Sequence, residues 1–139
     1  MILLDTNVLS ELMKATPTPG VLAWVAGRVD VDLYTTAITQ AEILHGIALL
    51  PSGRRRDGLE NAALAMFKQD LGGRVLPFDS DAASAYAKVA VTRRRAGRPI
   101  SHFDAQIAAI ALVNRAPLAT RNGADFAGLG IEVIDPWKA

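Results

Sequence analysis

The sequence contains no cysteine and only two histidines among its 139 residues. The absence of cysteine excludes a disulfide framework, a thiolate metal site and a cysteine nucleophile. With so few histidines, a histidine-rich zinc site is excluded as well. The ligands that remain for metal chemistry are oxygen atoms, which suit Mg²⁺, Mn²⁺ or Ca²⁺.

Long apolar runs and long polar tracts are also missing. The chain reaches Asp5 after Met1 and three further apolar residues, so its opening does not resemble a signal peptide. No stretch approaches the roughly 20 apolar residues of a membrane span. We therefore expect a soluble cytoplasmic protein with no membrane association. Half of the residues are apolar, which is enough for one well-packed domain, and the length leaves no room for a second.

An excess of one charge is absent too, since the net charge is +1. The arginines are nevertheless clustered, at residues 54–56 and at residues 93–98. Such clusters are typical of a solvated helix face, and also of a contact with phosphates or with an acidic protein segment. No aromatic residues alternate with these arginines, so a base-stacking platform is not indicated. The sequence leaves the role of both clusters open.

Short apolar runs alternate along the chain with helical patterns. We predict strands at residues 2–4, 32–36, 75–78, 117–120 and 131–134. We predict helices at residues 7–14, 21–28, 39–50, 54–70, 82–96 and 103–114. Such alternation favours right-handed crossovers and a parallel sheet covered by helices on both faces. The expected fold class is α/β, a three-layer α/β/α sandwich with a mostly parallel sheet of four to five strands.

Four acidic residues are expected at one edge of this sheet. Asp5 follows the first strand, and Glu42 is placed in the first turn of the helix after the second strand. Asp104 opens the alanine-rich helix, and Asp125 follows the fourth strand, with Asn122 one turn earlier. Ligands of such sheets bind beyond the carboxyl ends of the strands. The four acids can therefore converge on one site.

Each acid also has a purely structural explanation. Residues 39–42 and residues 101–104 have the spacing of capping boxes, and residues 122–125 resemble a third. Acidic side chains in the first turn of a helix are favoured by the helix dipole in any case. Taken singly, each acid can be a cap rather than a ligand. Asp79 is interpreted as a cap of this kind, at the start of the following helix.

Two features favour a metal site over caps alone. Asp5 ends a fully apolar strand, where a buried charge needs a partner. No lysine or arginine lies beside the acids in the sequence, and like charges brought together are costly unless a cation neutralises them. A divalent cation held by carboxylates hydrolyses phosphodiesters by lowering the pKa of a bound water. No serine nucleophile elbow and no P-loop offers a competing chemistry.

Four segments resemble a known family: MILLDTNVLSELMK, TTAITQAEILHGIALLPSGRRR, SHFDAQIAAIAL and LATRNGADFAGLGIEVIDPW. In this order and spacing they are similar to PIN-domain ribonuclease toxins of the VapC/FitB type, from type II toxin–antitoxin systems. The resemblance extends from Met1 to about Trp137, which implies a single PIN domain over residues 1–139. It implies a PIN-like fold and an endoribonuclease that depends on Mg²⁺ or Mn²⁺ and hydrolyses RNA phosphodiester bonds.

The resemblance also assigns roles to the acids. Asp5, Glu42 and Asp104 match the three metal-site acids of the family. Asp5 and Asp104 would hold the metal directly, and Glu42 would ligate it or position its water. The fourth acid varies: some members have an acid at the position of Asn122, whereas others have Asn there and an acid three residues later. The role is therefore carried onto Asp125, and Asn122 remains a candidate contact with the metal's water shell.

Three further residues and two partners follow from the same resemblance. Thr6 and Asn7 match the polar pair after the first acid, and Thr120 matches a supporting hydroxyl. Similar toxins pair with a small DNA-binding antitoxin, whose tail covers the active site, and they form homodimers. The RNA target, the identity of the antitoxin and the physiological metal are not specified by the sequence.

Other hypotheses remain beside this one. An aspartyl-phosphate phosphatase needs a second acid two residues after the first, and Asn7 at that position counts against it. A non-catalytic module that binds an antitoxin or RNA would use the acids only as caps. That hypothesis predicts tolerance of Asp5→Asn and no stabilisation by divalent metal. His45 and His102 are interpreted as ordinary helix residues, because a metal-activated water needs no histidine base.

Overall fold

The computed structural model describes residues 1–28 and 30–139. Within them the strands are β1 (Ile2–Leu4), β2 (Leu33–Thr36), β3 (Val75–Leu76), β4 (Leu118–Ala119) and β5 (Val133–Ile134). The α-helices are α1 (Thr6–Leu12), α2 (Pro19–Ala26), α3 (Ala37–Ala48), α4 (Arg54–Ala65), α5 (Ser80–Arg95) and α6 (His102–Val113). A π-helical segment, Met66–Asp70, continues α4, and a short 3₁₀ helix, Gly123–Phe126, follows β4.

The five strands form one parallel sheet in the order β3-β2-β1-β4-β5. The first strand of the chain is thus the central one. Ile2 is paired with Leu33 of β2, and Leu3 is paired with Leu118 of β4. The prediction of an α/β fold with a parallel sheet is confirmed.

Helices cover both faces of the sheet. Successive side chains of a strand point to opposite faces, so Leu3 packs against α5 and α6 while Ile2 and Leu4 pack on the other side. The first face is filled by buried residues that include Val89, Ile107, Ala108, Ile110 and Phe126. The second is filled by residues from α1, α2, α3 and the α4 region, among them Leu9, Trp24, Ile43, Ile47 and Phe67. These two apolar clusters confirm the three-layer arrangement.

Helix α3 begins earlier than the sequence pattern indicated. Its N-cap is Thr36, whose hydroxyl accepts a hydrogen bond from the Thr39 amide at 3.0 Å. Since Thr36 is also the last residue of β2, the strand passes directly into the helix. The predicted start at residue 39 was wrong, and so was the capping box at residues 39–42. Glu42 consequently lies in the second turn of α3 and not in the first.

The other predicted caps have mixed outcomes. Ser101 caps α6 by accepting from the Asp104 amide at 3.1 Å, and Asp79 caps α5 by accepting from the Ala82 amide at 2.9 Å, as predicted. Asn122 makes no side-chain capping bond to the 3₁₀ helix, so the third capping box was wrong. Among the described helices, none is long and apolar enough to cross a membrane.

Candidate active site

Asp5 occupies the carboxyl end of the central strand, where it is the N-cap of α1. Its side chain is buried, at 4% exposure. Oδ1 accepts from the Thr6 amide at 2.8 Å, while Oδ2 accepts from the Thr120 hydroxyl at 2.8 Å and from Nδ2 of Asn7 at 3.3 Å. The buried carboxylate is therefore held by neutral donors, which orient it without cancelling its charge.

A second layer of hydrogen bonds fixes the donors themselves. The Thr120 hydroxyl oxygen accepts from Nδ2 of Asn7 at 3.0 Å and from the Asn122 amide at 3.1 Å. Oδ1 of Asn7 accepts from the Arg121 amide at 3.1 Å. These bonds join the start of α1 to the segment after β4 through the side chains of Asn7 and Thr120.

Thr6 links two of the acids. Its amide donates to Asp5, and its hydroxyl donates to Oε1 of Glu42 at 2.8 Å. The hydroxyl of Thr39, a buried residue of α3, lies 3.1 Å from that of Thr6. Glu42 is half-buried, and the hydrogen bond from Thr6 fixes Oε1 of its carboxylate against α1 at the edge of the sheet.

The remaining two acids come from the far side of the same edge. Asp104 is half-buried in the first turn of α6, and Asp125 is exposed on the 3₁₀ helix after β4. The negative charge of Asp104 raises the pKa of both Asp5 and Glu42, and that of Asp125 raises the pKa of Asp104. Asp5, Glu42 and Asp104 thus lie within electrostatic range of one another, and Asp125 lies within range of Asp104. Asn122 is exposed, and its amide, as noted, binds Thr120.

Burial is the main cause of a large shift at Asp5. Loss of water contact raises the pKa of Asp5 to about 6, because it disfavours the charged form. Hydrogen bonds from Thr120 and Thr6 oppose this effect, and the charges of Asp104 and Glu42 add to it. A carboxylate that resists ionisation in this way gains from a nearby cation.

The pKa values of Glu42 and Asp104 are also raised, again chiefly by burial. For Glu42 the hydrogen bond from Thr6 acts in the opposite direction. For Asp104 the Ser101 hydroxyl and the charge of Arg93 lower the pKa, but not enough to cancel burial and Asp125. Three acids at this edge therefore share the same unfavourable environment for negative charge.

The family model of the PIN domain matches residues 2–131. The chain belongs to the PIN-domain family. It is similar to VapC ribonuclease Y4jK of Sinorhizobium fredii, with 42% identity over 138 residues and 99% of each chain covered. Toxin FitB of Neisseria gonorrhoeae is 38% identical over 141 residues, again with 99% of each chain covered. A solved structure of FitAB bound to an IR36 DNA fragment superposes with a TM-score of 0.91, at 36% identity, covering 99% of this chain and 96% of the other. The expected resemblance to the VapC/FitB type is confirmed.

The donor chemistry of this PIN domain fits a divalent cation of the Mg²⁺ or Mn²⁺ kind. The four acids offer only oxygen ligands. Among the described residues, the one ion pair joins Glu11 to Lys14, so no lysine or arginine is within ion-pair distance of any of the four acids. Across the same residues, no group of three or more histidine or acidic side chains is already close enough together to hold a metal. The fit is thus one of donor type, charge and burial.

An apolar groove of the PIN domain, not predicted from the sequence, adjoins Glu42. It has a volume of about 630 Å³ and opens beside Thr6 and Glu42, between α1, α3 and α4. Its walls include Met13, Ile43, Ile47, Leu50 and Leu59, with Lys14 and Arg55 also lining it. The spacing of apolar residues along α3 was visible in the sequence, but it equally fits a face buried in the core.

The arginine clusters differ from both sequence interpretations at one position. Arg94, Arg95 and Arg98 are exposed, as a solvated surface requires. Arg93 is buried, at 6% exposure, and its guanidinium donates to backbone carbonyls of the PIN domain. Neither a solvated helix face nor a phosphate contact describes this residue.

Proposed function

We propose that this PIN domain, one domain over residues 1–139, is the toxin of a type II toxin–antitoxin system. It acts in the cytoplasm as an endoribonuclease, with Mg²⁺ or Mn²⁺ bound by Asp5, Glu42, Asp104 and Asp125. The observation that carries the proposal is the buried carboxylate of Asp5, which Thr6 links to Glu42, with no ion-pairing cation on either acid among the described residues. The charge of Asp104 acts on both. The printed names of the relatives, a VapC ribonuclease and Toxin FitB, support the same function.

The residues of the chain have separate tasks in this proposal. Three donors keep both oxygens of Asp5 in place, so the carboxylate is already oriented before it binds anything. Thr6 holds Glu42 beside it, and Asp104 and Asp125 supply charge from the opposite side. A divalent ion bound there supplies a water of lowered pKa and neutralises charge on phosphate oxygens. The histidines at positions 45 and 102 have no assigned part.

The partner proposed for this toxin is a small DNA-binding antitoxin. Solved structures of relatives are complexes, including FitAB bound to DNA and FitAcB of Neisseria gonorrhoeae. The apolar groove beside Glu42 can hold an apolar segment of such a partner, whose tail then reaches the acids. A homodimer is the proposed assembly, and light scattering on a size-exclusion column measures it.

Charge placed in the groove tests the partner proposal. Leu50→Glu puts a carboxylate on the wall of the groove at a half-buried position outside the core, and we expect it to abolish co-purification with a co-expressed antitoxin. Leu49→Glu is the matched control, because Leu49 is 72% exposed and directly follows α3. Equal recovery of the antitoxin with both variants contradicts a groove-bound partner.

RNA cleavage by the purified chain tests the function. The chain, freed of any partner, is incubated with structured RNA in Mg²⁺, Mn²⁺ or EDTA, beside Asp5→Asn and Asp104→Asn. We expect cleavage that requires the metal and is lost in both variants, with circular dichroism showing that the variants remain folded. If all three proteins leave a broad RNA panel intact, or cleave it equally in EDTA, the non-catalytic module replaces this proposal.

A further inference from the structure

Arg93 is a buried arginine without a carboxylate partner. It lies in the last turn of α5 at 6% exposure, and no described acid is within ion-pair distance of it. Nε donates to the Arg98 carbonyl at 2.7 Å, and Nη1 donates to the Asp125 carbonyl at 2.7 Å. Weaker contacts of Nη1 reach the carbonyls of Ala127 at 3.3 Å and Ala124 at 3.4 Å. Backbone carbonyls therefore take the place of water around this charge.

These carbonyls belong mostly to one short segment. The 3₁₀ helix Gly123–Phe126 carries Asp125, and only four residues form it, so its own hydrogen bonds give little rigidity. Phe126 anchors it by packing into the core at 1% exposure, and Arg93 holds the backbone on either side of that anchor. Arg98, reaching the Ala124 carbonyl at 3.4 Å, adds a contact from the exposed side.

The position of Arg93 relative to the acids gives these bonds a consequence for the site. Its charge acts on Asp104, which also senses the charge of Asp125. Arg93 thus lies behind the backbone of one acid and within electrostatic range of another, while its donors are occupied by carbonyls. A guanidinium used in this way fixes a loop through several directed bonds, which an ammonium cannot reproduce.

We propose that Arg93 is a positioning residue, which holds the turn Gly123–Phe126 so that Asp125 faces Asp104 at the metal site. The inference rests on the proposed function and extends it to a residue that touches neither metal nor RNA. Outer residues that orient metal ligands change metal affinity or activity by about 10- to 100-fold when they are replaced.

Manganese binding by the isolated chain tests the inference without RNA or turnover. Electron paramagnetic resonance at pH 7.5 gives the dissociation constant of Mn²⁺ for the wild type, Arg93→Met and Arg93→Lys. We expect Arg93→Met to weaken binding about 10-fold or more, and Arg93→Lys to weaken it less, since lysine keeps the charge but not the fork. Arg94→Met is the matched control, because Arg94 is exposed in the same turn, and it should bind as the wild type does.

A double-mutant cycle separates positioning from a general loss of stability. If Arg93 acts through Asp125, then Arg93→Met should change Mn²⁺ affinity less than about 2-fold once Asp125→Asn is present. A merely structural role predicts the same loss in both backgrounds. Should Arg93→Met fail to fold in thermal unfolding, Arg93→Lys takes its place in the cycle.

The outcomes distinguish this inference from the proposed function. If the wild type binds no Mn²⁺ and cleaves no RNA, the proposed function fails and the inference fails with it. If the wild type binds Mn²⁺ and cleaves RNA, the inference alone is overturned by any one of three results. These are wild-type affinity in the folded Arg93 variants, wild-type affinity in Asp125→Asn, or an undiminished effect of the Arg93 replacement in the Asp125→Asn background.

Discussion

The Thr120 hydroxyl donates to Oδ2 of Asp5 at 2.8 Å, across 115 residues of sequence. Thr120 is fully buried, and the bond joins the ends of β4 and β1, two neighbouring strands of the sheet. The same hydroxyl accepts from Asn7, so one side chain connects a buried acid to both the helix and the loop that surround it.

Replacement of Thr120 by valine tests the value of this bond. Valine has a similar volume but no hydroxyl, so Oδ2 of Asp5 loses its shorter donor and keeps Asn7 at 3.3 Å. We expect Thr120→Val to lower the free energy of unfolding by about 1–3 kcal/mol at pH 7.5, the usual cost of a lost hydrogen bond to a buried charge. Urea denaturation measures it. Thr120→Ser keeps the hydroxyl and should lose less of the free energy of unfolding. A valine variant as stable as the wild type would contradict this role of the Thr120 hydroxyl.

Asp5 should make the metal-free chain less stable as the pH rises. Its pKa is raised from 3.8 to about 6 on folding, so between those values the folded state binds more protons than the unfolded state. The contribution is fully present below about pH 4, is lost as the pH rises to about 6, and amounts to about 3 kcal/mol. Thermal unfolding in EDTA across pH 4 to 8 measures this slope.

Asp5→Asn is the control for the pH prediction, since an amide does not titrate in this range. Its unfolding should lack the loss of stability between about pH 4 and 6. At pH 7.5 it should be more stable than the wild type by about 1–2 kcal/mol in EDTA, less than the full amount because the Asn7 amide loses an acceptor. Parallel pH profiles for the two proteins would show that Asp5 is not the group responsible.

Thr6→Val should release Glu42 while leaving Asp5 capped. The substitution removes the hydroxyl that holds Oε1 of Glu42, but it keeps the backbone amide that donates to Asp5. We expect the Mg²⁺ concentration for half-maximal RNA cleavage to rise about 10-fold, as for other residues that orient a metal ligand. Thr6→Ser restores the hydroxyl and should restore the wild-type value. An unchanged value in the valine variant would remove Thr6 from the site.

Asp125 and Asn122 compete for the role of the fourth ligand, and matched variants decide between them. The charge of Asp125 acts on Asp104, whereas the contact that Asn122 makes with the site is through its backbone amide to Thr120. Asp125→Asn should therefore weaken Mn²⁺ binding about 10-fold or more, and Asn122→Ala less than about 3-fold. The reverse order, measured by the same titration, would transfer the role to Asn122.

The elements that position the acids were predictable because their signals are local. A three-residue apolar run followed by Asp5 places a buried strand and an acid at its carboxyl end, and the structure has both. The start of α3 was not predictable in the same way. Thr36 and Thr39 both carry a hydroxyl able to cap a helix, and the choice depends on where β2 stops pairing with its neighbours. That is a property of the whole sheet.

Arg93 shows a signal that was present but was outweighed by composition. Because Arg93 belongs to a run of three charged arginines, the composition predicts that its side chain is exposed to solvent. Arg93, however, lies on the same helical face as the buried residues Ala82 and Val89. Val89 follows Ala82 by seven residues, and Arg93 follows Val89 by four. Apart from the nearby Arg98 carbonyl, the carbonyls it binds follow β4, about thirty residues later in the chain. No local pattern reveals such a partner, since only tertiary packing brings the two segments together.

The central place of β1 has a consequence for protein synthesis. During synthesis Asp5 leaves the ribosome 115 residues ahead of Thr120, and Asp125 follows Thr120. Contacts between such distant segments form late, because the intervening chain has to be closed into a loop. A nascent chain that has not yet reached β4 therefore lacks the Thr120 donor and Asp125, and under the proposed function we expect it to cleave no RNA.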